Sequence, residues 1–396
     1  MRLVIHDFAG HPFQSQLSRQ LASLGHEVIH LYPAGLPGPK GRLSKCVSDP
    51  PTLRFEAIPL SGTFRKYSAH RRFLVQRKYA HDVNSFIRSE RPDVVLSGNT
   101  PIDVQAELLR YCHKRRVGFV HWVQDVYCEA LRFFLQHRFG PLARGLALPF
   151  RGLEKWVASA SNGIVVISPG FKDLLGSWGI PSSKITVIEN WAPLDEVPVL
   201  PRENAWRHGQ GLGTGSVFLY SGTLGLKHKP DLLYSLAQSL VGQCTVVVIS
   251  EGIGREYLQT CPPLPNLILL GFQPYERVPE ILASADILVA TLEADAGQFA
   301  VPSKVLSYFC AARPLLLAAP KENLSAEIVE RSEAGVVVDP NDKTAWLAAA
   351  QRLASDQTYR AQLGANARRY AERAFDICRI AHEFQHMLLS AYCSTF

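Results

Sequence analysis

Apolar residues along this chain gather in short runs, and between the runs they recur at every third or fourth position. Runs of the first kind read as strands buried on both faces. Segments of the second kind read as amphipathic helices, and the alternation predicts βαβ units built on parallel sheets. In the first half the predicted strands are Leu3–His6, Glu27–Tyr32, Asp93–Ser97, Gly118–Val123, Gly163–Ile167 and Ile185–Glu189. Gln14–Leu24 has helical spacing and stops at Gly25, a C-cap residue. A second series runs through Val217–Tyr220, Thr245–Ile249, Leu267–Leu270, Ile287–Ala290, Pro314–Ala318 and Gly335–Val338.

Between Asn190 and Ser216 the periodicity breaks down into a Pro- and Gly-rich stretch that predicts a linker. Its glycines Gly209, Gly211, Gly213 and Gly215 precede a strand instead of joining a strand to a helix, so they do not form a dinucleotide fingerprint. The expected fold class is therefore α/β, with two Rossmann-like doubly wound domains facing each other across a cleft. Residues 1–195 form the first domain, 196–215 the linker and 216–374 the second domain, and a helix at 375–396 is expected to return to the first. Ligands of such sheets bind outside the carboxyl ends of the strands.

The length of 396 residues fits two or three cores of ordinary size. A net charge of +7 is a mild basic excess. The eight cysteines stand singly, without a C-x-x-C pair or zinc-ligand spacing, and read as reduced thiols of a cytosolic protein. MRLVIHDFAG reads as a first strand and not as a signal peptide, and every apolar run is shorter than the roughly 20 residues that span a bilayer.

Two segments of the second half suit an anion. In YSGTLGLKHKPDLL, Gly222, Thr223 and Gly225 follow a strand, with Lys227, His228 and Lys229 ahead of a helix start. Backbone N–H groups and lysine charge there could hold a phosphate, or the segment is a plain turn with solvated lysines. In VPSKVLSYF, Pro302 and Ser303 can begin a helix, and Lys304 puts a cation in its first turn. A cation there opposes the helix dipole, which favours a bound anion, with a screened surface lysine as the alternative. Glu293 and Asp295, just upstream, accept sugar hydroxyls or face water.

The first half places three polar loops at predicted strand ends. They carry His6, Asp7, Gly10 and His11; Asn99, Thr100 and Asp103; and His121, Gln124, Asp125, Tyr127 and Glu129. All three converge on one sheet edge. There is no D-x-D, phosphate-loop, H-E-x-x-H or G-x-S-x-G motif, so neither a bound metal nor serine hydrolysis is expected. Basic residues interleaved with Phe, Leu and Tyr concentrate at Arg65–Arg91 and Arg132–Lys155. They suit an anionic membrane surface, with a solvated helix face as the alternative, and no nucleic-acid-binding pattern is present.

In their order and spacing, GHEVIHLY, QDVYCE, GIVVISPGF, KITVIENW, YSGTLGLKHKPDLL, EGIG, LGFQPYERVPEILASADILV and VPSKVLSYFCAARP resemble family 4 retaining glycosyltransferases of the GT-B architecture, nearest to bacterial exopolysaccharide and O-antigen enzymes. The resemblance implies that the second domain binds a nucleotide-diphosphate sugar as substrate, with no cofactor. Gly222, Thr223, Lys227, Ser303 and Lys304 would hold the diphosphate, Phe272 and Gln273 would meet the base and Glu293 the sugar, with Gly252 and Pro302 also at the donor. It implies a lipid-linked or saccharide acceptor in the first domain near Gly10, His11, Asn99 and Thr100, with Asp125 and His121 at the reacting carbon. One departure stands out: where the wider family carries two glutamates eight positions apart, this chain has Phe299 and Ser307. The expectation is a cytoplasmic hexosyltransferase on the inner membrane face, with a nucleotide-sugar epimerase or hydrolase, or a silent binding subunit, as rivals.

Overall fold

The structure is a computed structural model of the chain and describes residues 1–36, 40–60, 69–140, 145–225, 228–294 and 304–395. It divides into two units, Met1–Glu189 with Ile377–Phe396, and Asn190–Asp376.

The first unit is a seven-stranded parallel sheet. Its strands are β1 (Arg2–Asp7), β2 (Glu27–Ala34), β3 (Leu53–Pro59), β4 (Val94–Gly98), β5 (Gly118–Val123), β6 (Gly163–Val166) and β7 (Ile185–Val187), in the order β3-β2-β1-β4-β5-β6-β7. The second sheet contains β8 (Ser216–Ser221), β9 (Cys244–Ile249), β10 (Leu267–Leu270), β11 (Ile287–Thr291), β12 (Leu315–Ala318) and β13 (Gly335–Val338), ordered β10-β9-β8-β11-β12-β13. Each order reverses once, between β1 and β4 and between β8 and β11. These switch points are where open α/β sheets hold ligands.

Central strands such as β4 and β12 are buried along their whole length, as sheets covered on both faces require. β3 is absent from the predicted strands. It is an edge strand in which buried Leu53 gives way to half-exposed and exposed positions, so LRFEAIP lacks the continuous apolar run of its neighbours. Its pairing with β2 nevertheless extends over seven residues, Val28 with Leu53 through Ala34 with Pro59.

The stretch expected to be a linker is built into the second unit. Asn204 caps the short helix Ala205–Gly209, and Trp206 and Arg207 are buried. The Arg207 guanidinium donates to the carbonyls of Ser284 (2.6 Å), Gly213 and Gly215 (3.2 Å). The glycine run therefore supplies acceptors to a buried cation that could not otherwise be desolvated. Helix Ile377–Cys393 lies on the first sheet, with Phe384 against Trp122 at 4.7 Å between ring centroids. Glycines in the strands make room for it: a β-carbon at Gly163 would lie 2.2 Å from the Met387 sulfur.

Candidate functional site

At the first switch point β1 ends in Asp7, a fully buried carboxylate. Its Oδ1 accepts from the backbone N–H groups of Ala9 (3.0 Å) and Gly10 (2.9 Å), folding the opening loop into a turn. Gly10 has φ +79°, a left-handed conformation that a side chain would strain. With its amide nitrogen turned toward Asp7 Oδ2 (2.9 Å), Gln14 accepts from Asn99 Nδ2 (3.1 Å), which joins the β1 and β4 loops. Burial pushes the Asp7 carboxyl up to about 7 against the opposing N–H bonds and the Lys40 charge. Beneath it, His6 Nδ1 meets Ser97 Oγ (2.8 Å) and Thr100 Oγ1 (3.3 Å), and His6 Nε2 meets Tyr79 (3.0 Å). Burial lowers His6 to about 3, so its imidazole is neutral.

Next to this network, a hollow of about 470 Å³, counted to its open mouth, extends below the loop after β5. Asn99, Thr100, Ile102, Gln105, His121, Trp122, Asp125, Tyr127, Glu154 and Trp178 are among the residues that line it. Asp125 is exposed, whereas His121 is buried and held neutral, its imidazole lowered to about 4 by burial. Glu154 gave no sequence signal beyond a single acid in an amphipathic segment. Its buried carboxylate accepts from the Tyr127 N–H (2.7 Å) and the Cys128 N–H (3.0 Å), capping helix Tyr127–Phe139 immediately after Asp125. An acceptor at a helix N-terminus satisfies two otherwise unpaired donors and suits the dipole.

At the second switch point, the Lys304 side chain reaches the end of β8. Its ammonium lies 3.9 Å from the centre of the Tyr220 ring and against the Tyr220 hydroxyl. Among the described residues no carboxylate pairs with it, and burial alone lowers it to about 7. Gly222, with φ +134°, leaves room for this side chain: a β-carbon there would lie 3.1 Å from Lys304 Cε. Tyr308 fixes the strand end by accepting from the Ser221 N–H (2.9 Å) and donating to the Ser221 carbonyl (3.1 Å). Gly252 caps helix Ile253–Thr260, whose start is held by a Gly254 N–H bond to the Leu224 carbonyl (3.0 Å).

Two family models match the chain in succession: Glycosyltransferase Family 4 over residues 15–196 and Glycosyl transferases group 1 over residues 203–370. The chain belongs to glycosyltransferase family 4. The probable glycosyltransferase WbjE of Pseudomonas aeruginosa is 26% identical to it over 275 residues, a match spanning 65% of this chain and 65% of that relative's length. In fold it is similar to sucrose-phosphate synthase from Thermosynechococcus elongatus (TM-score 0.72, 14% identity, 100% of both chains). It is also similar to Anabaena HepE in complex with UDP-glucose (TM-score 0.70, 15% identity, 98% of this chain and 100% of that one). Its two α/β units are those of the GT-B fold.

In this family 4 chain, the first unit gathers Gly10, Asn99, Thr100, His121 and Asp125 at the ends of β1, β4 and β5. His11 sits just before helix Pro12–Ser23 with its ring stacked on Phe13, 5.3 Å between centroids. In the second unit, Gly222, Thr223 and Glu293 follow β8 and β11, the two strands of the switch point. Phe272 and Gln273 follow β10, two strands away from β8, and the Gln273 amide donates to the Gly271 carbonyl (3.0 Å). Lys227, Pro302, Ser303 and Phe299 lie outside the described residues; Ser307 is half-buried in helix Lys304–Cys310. Tyr220 and Tyr308, which position Lys304 and Ser221, were not singled out in the sequence because a strand tyrosine and a helix tyrosine read as core. Among the described residues no cluster of His, Cys, Asp and Glu is arranged to hold a metal, and no helix is long and apolar enough to cross a membrane.

Proposed function

We propose that the chain transfers a hexosyl group from a nucleotide-diphosphate sugar to a lipid-linked or saccharide acceptor, with retention at the anomeric carbon and without metal or cofactor. The carrying observation is Lys304: an ammonium with no carboxylate partner among the described residues, at the switch-point end of β8 beside Gly222. A half-buried, partly desolvated cation without a counterion is costly, and a diphosphate supplies one. Similarity in fold to a protein whose structure contains UDP-glucose supports a donor of this class.

In the proposed reaction the anomeric C–O bond to the diphosphate breaks and a C–O bond to the acceptor oxygen forms on the same face. The acceptor proton passes to the leaving diphosphate. Lys304 and the Thr223 N–H stabilise charge developing on the leaving group, the role otherwise given to a metal, while the Leu224 and Gly225 N–H groups are held within the fold by Ser250 and His228. The first unit orients the acceptor, with Asp125 near the positive charge that builds on the sugar carbon and neutral His121 hydrogen-bonding a hydroxyl. Attachment to the inner membrane face is supported by exposed Phe139, Leu146, Leu148 and Phe150 beside Arg151 and Lys155.

The test is thermal stabilisation by UDP, GDP, dTDP, ADP or CMP and their sugars without added metal, followed by transfer to lipid-linked acceptors. A ligand at 100 times its Kd should stabilise the protein by about 2.7 kcal/mol. Indifference to all five nucleotides at millimolar concentration would refute the proposal.

A further inference from the structure

The network beneath the opening loop contains a pair whose hydrogen bonding is incomplete. His30 of β2 is fully buried, and its Nε2 has no hydrogen-bond partner. This nitrogen faces Asp7 Oδ2 at 3.9 Å. Across the ring, Nδ1 meets Ser18 Oγ at 2.8 Å, and the same hydroxyl reaches the Gln14 carbonyl at 3.2 Å. A hydroxyl has one hydrogen and a neutral imidazole one N–H, so two arrangements satisfy these distances. With Asp7 protonated, His30 carries its hydrogen on Nδ1, Ser18 donates to Gln14 and Asp7 Oδ2 donates to Nε2. With Asp7 ionised, Ser18 donates to Nδ1, and Nε2–H points at the carboxylate. A proton stands between Oδ2 and Nε2 in both, and closing the gap by about 1 Å makes an ordinary hydrogen bond. The proton given up to solvent is the one on Nδ1, on the far side of the ring from the carboxylate.

The surroundings admit both forms. Lys40 is the cation acting on Asp7, and Arg19 of helix Pro12–Ser23 acts on His30. His6 of β1 and Tyr79 of helix Ala69–Glu90 are buried and neutral, and the β4 residue paired with Asp7 is Gly98. Burial, opposed by the backbone N–H groups and Lys40, puts the carboxyl at about 7, so both forms are populated near neutrality. Hydrogen bonds to an ionised acceptor are roughly twice as strong as neutral ones. The turn held by Asp7 extends outward, because the Gly10 carbonyl accepts from the Gly41 N–H (2.9 Å) and so seats the segment that follows Lys40. We infer that Asp7 and His30 are a proton-linked positioning pair: the ionised carboxylate, backed by His30 Nε2–H, grips the Ala9 and Gly10 N–H groups and sets the opening loop for transfer. This rests on the proposed function, in which the first unit orients the acceptor.

The test is nitrogen-15 NMR of the full chain between pH 6 and pH 8, with the His30 signals identified by their loss in His30→Phe. His30 is expected to pass from the Nδ1–H to the Nε2–H form with a midpoint at about 7, and the Ala9 and Gly10 amide signals to move with it. At saturating donor, kcat should rise about tenfold from pH 6 to pH 8, as the ionised fraction of such a carboxyl does. Asp7→Asn keeps the accepting oxygen and offers an N–H to His30 Nε2, so it mimics the protonated form. Its kcat should match the parent at pH 6 and fall about tenfold short at pH 8, with nucleotide affinity unchanged. A purely structural defect would lower kcat alike at both pH values. A His30 ring fixed in one tautomer, amide signals indifferent to the titration, or an Asp7→Asn deficit that is absent or equal at both pH values overturns the inference. A tautomer change in protein that transfers no sugar overturns the transferase proposal and leaves the proton-linked pair standing.

Discussion

The ammonium of Lys304, lowered to about 7 by burial, makes donor binding a proton-linked event with a fixed sign. Above about pH 7 the free protein holds this side chain mostly neutral. A diphosphate favours the charged form, so binding draws a proton from solvent and weakens as pH rises. If the bound anion restores the lysine to its ordinary range near 10.5, uptake is about 0.1 proton at pH 6, about 0.5 at pH 7 and about 0.9 at pH 8. Affinity then drops about tenfold between pH 6 and pH 8, and about tenfold again by pH 9. UDP-glucose is a suitable ligand because its diphosphate does not titrate in this window. Isothermal calorimetry at pH 8 in buffers of different ionisation enthalpy reads the uptake directly. Lys304→Met should abolish the uptake and cost roughly 1.5–3 kcal/mol of binding, the worth of a charge-assisted hydrogen bond. Tight binding at pH 8 with no uptake would show that Lys304 does not meet the donor, and would remove the observation on which the donor site rests.

Four further outcomes follow from particular contacts. Glu154→Gln exchanges an anionic acceptor for an amide at two backbone N–H groups, and should cost about 1–3 kcal/mol in urea unfolding together with a fall in transfer rate through the Asp125 loop; an unchanged rate would separate the cap from catalysis. Arg207→Leu strands three carbonyls and should destabilise the second unit by about 3 kcal/mol, measured as a lower urea midpoint. Phe384→Ala empties a space against Trp122 and should cost about 3–5 kcal/mol, read by tryptophan fluorescence during unfolding. Acid should loosen the first unit. His6 and His30, lowered to about 3, and His11 and His121, lowered to about 4, are neutral when folded but take up protons when unfolded, so their contribution falls as pH drops below about 6.5. Asp7, raised to about 7, acts in the opposite direction and offsets one of them, leaving a loss of about 1.4 kcal/mol per pH unit for each uncompensated histidine, visible as a urea midpoint lower at pH 5 than at pH 7.

Central strands were legible because burial on both faces forces a continuous apolar run, and the turns after β1, β4, β5 and β8 were legible because small and polar residues interrupt those runs at regular intervals. β3 was not, because an edge strand with one wet face needs no such run. Composition misled at residues 190–215: proline and glycine there mark irregular backbone, yet Trp206 and Arg207 bury it, and burial of an arginine depends on carbonyls up to 77 positions away. Asp125 and Lys304 stood out as charges at element ends. Glu154 and Trp178 did not, since their roles come from what β5 and its following loop bring to them across the fold.

The return of helix Ile377–Cys393 to the first sheet also sets an order of events during synthesis. Gly118 and Gly163 face this helix, so the part of the sheet beside helix Pro12–Ser23 that it covers stays open until the ribosome has passed residue 393. At roughly 5–20 residues per second, the intervening unit alone takes on the order of ten to forty seconds to emerge. The nascent first unit thus displays an apolar stripe centred on Trp122 throughout that interval, while the second unit, continuous in sequence, can finish folding before the first one closes.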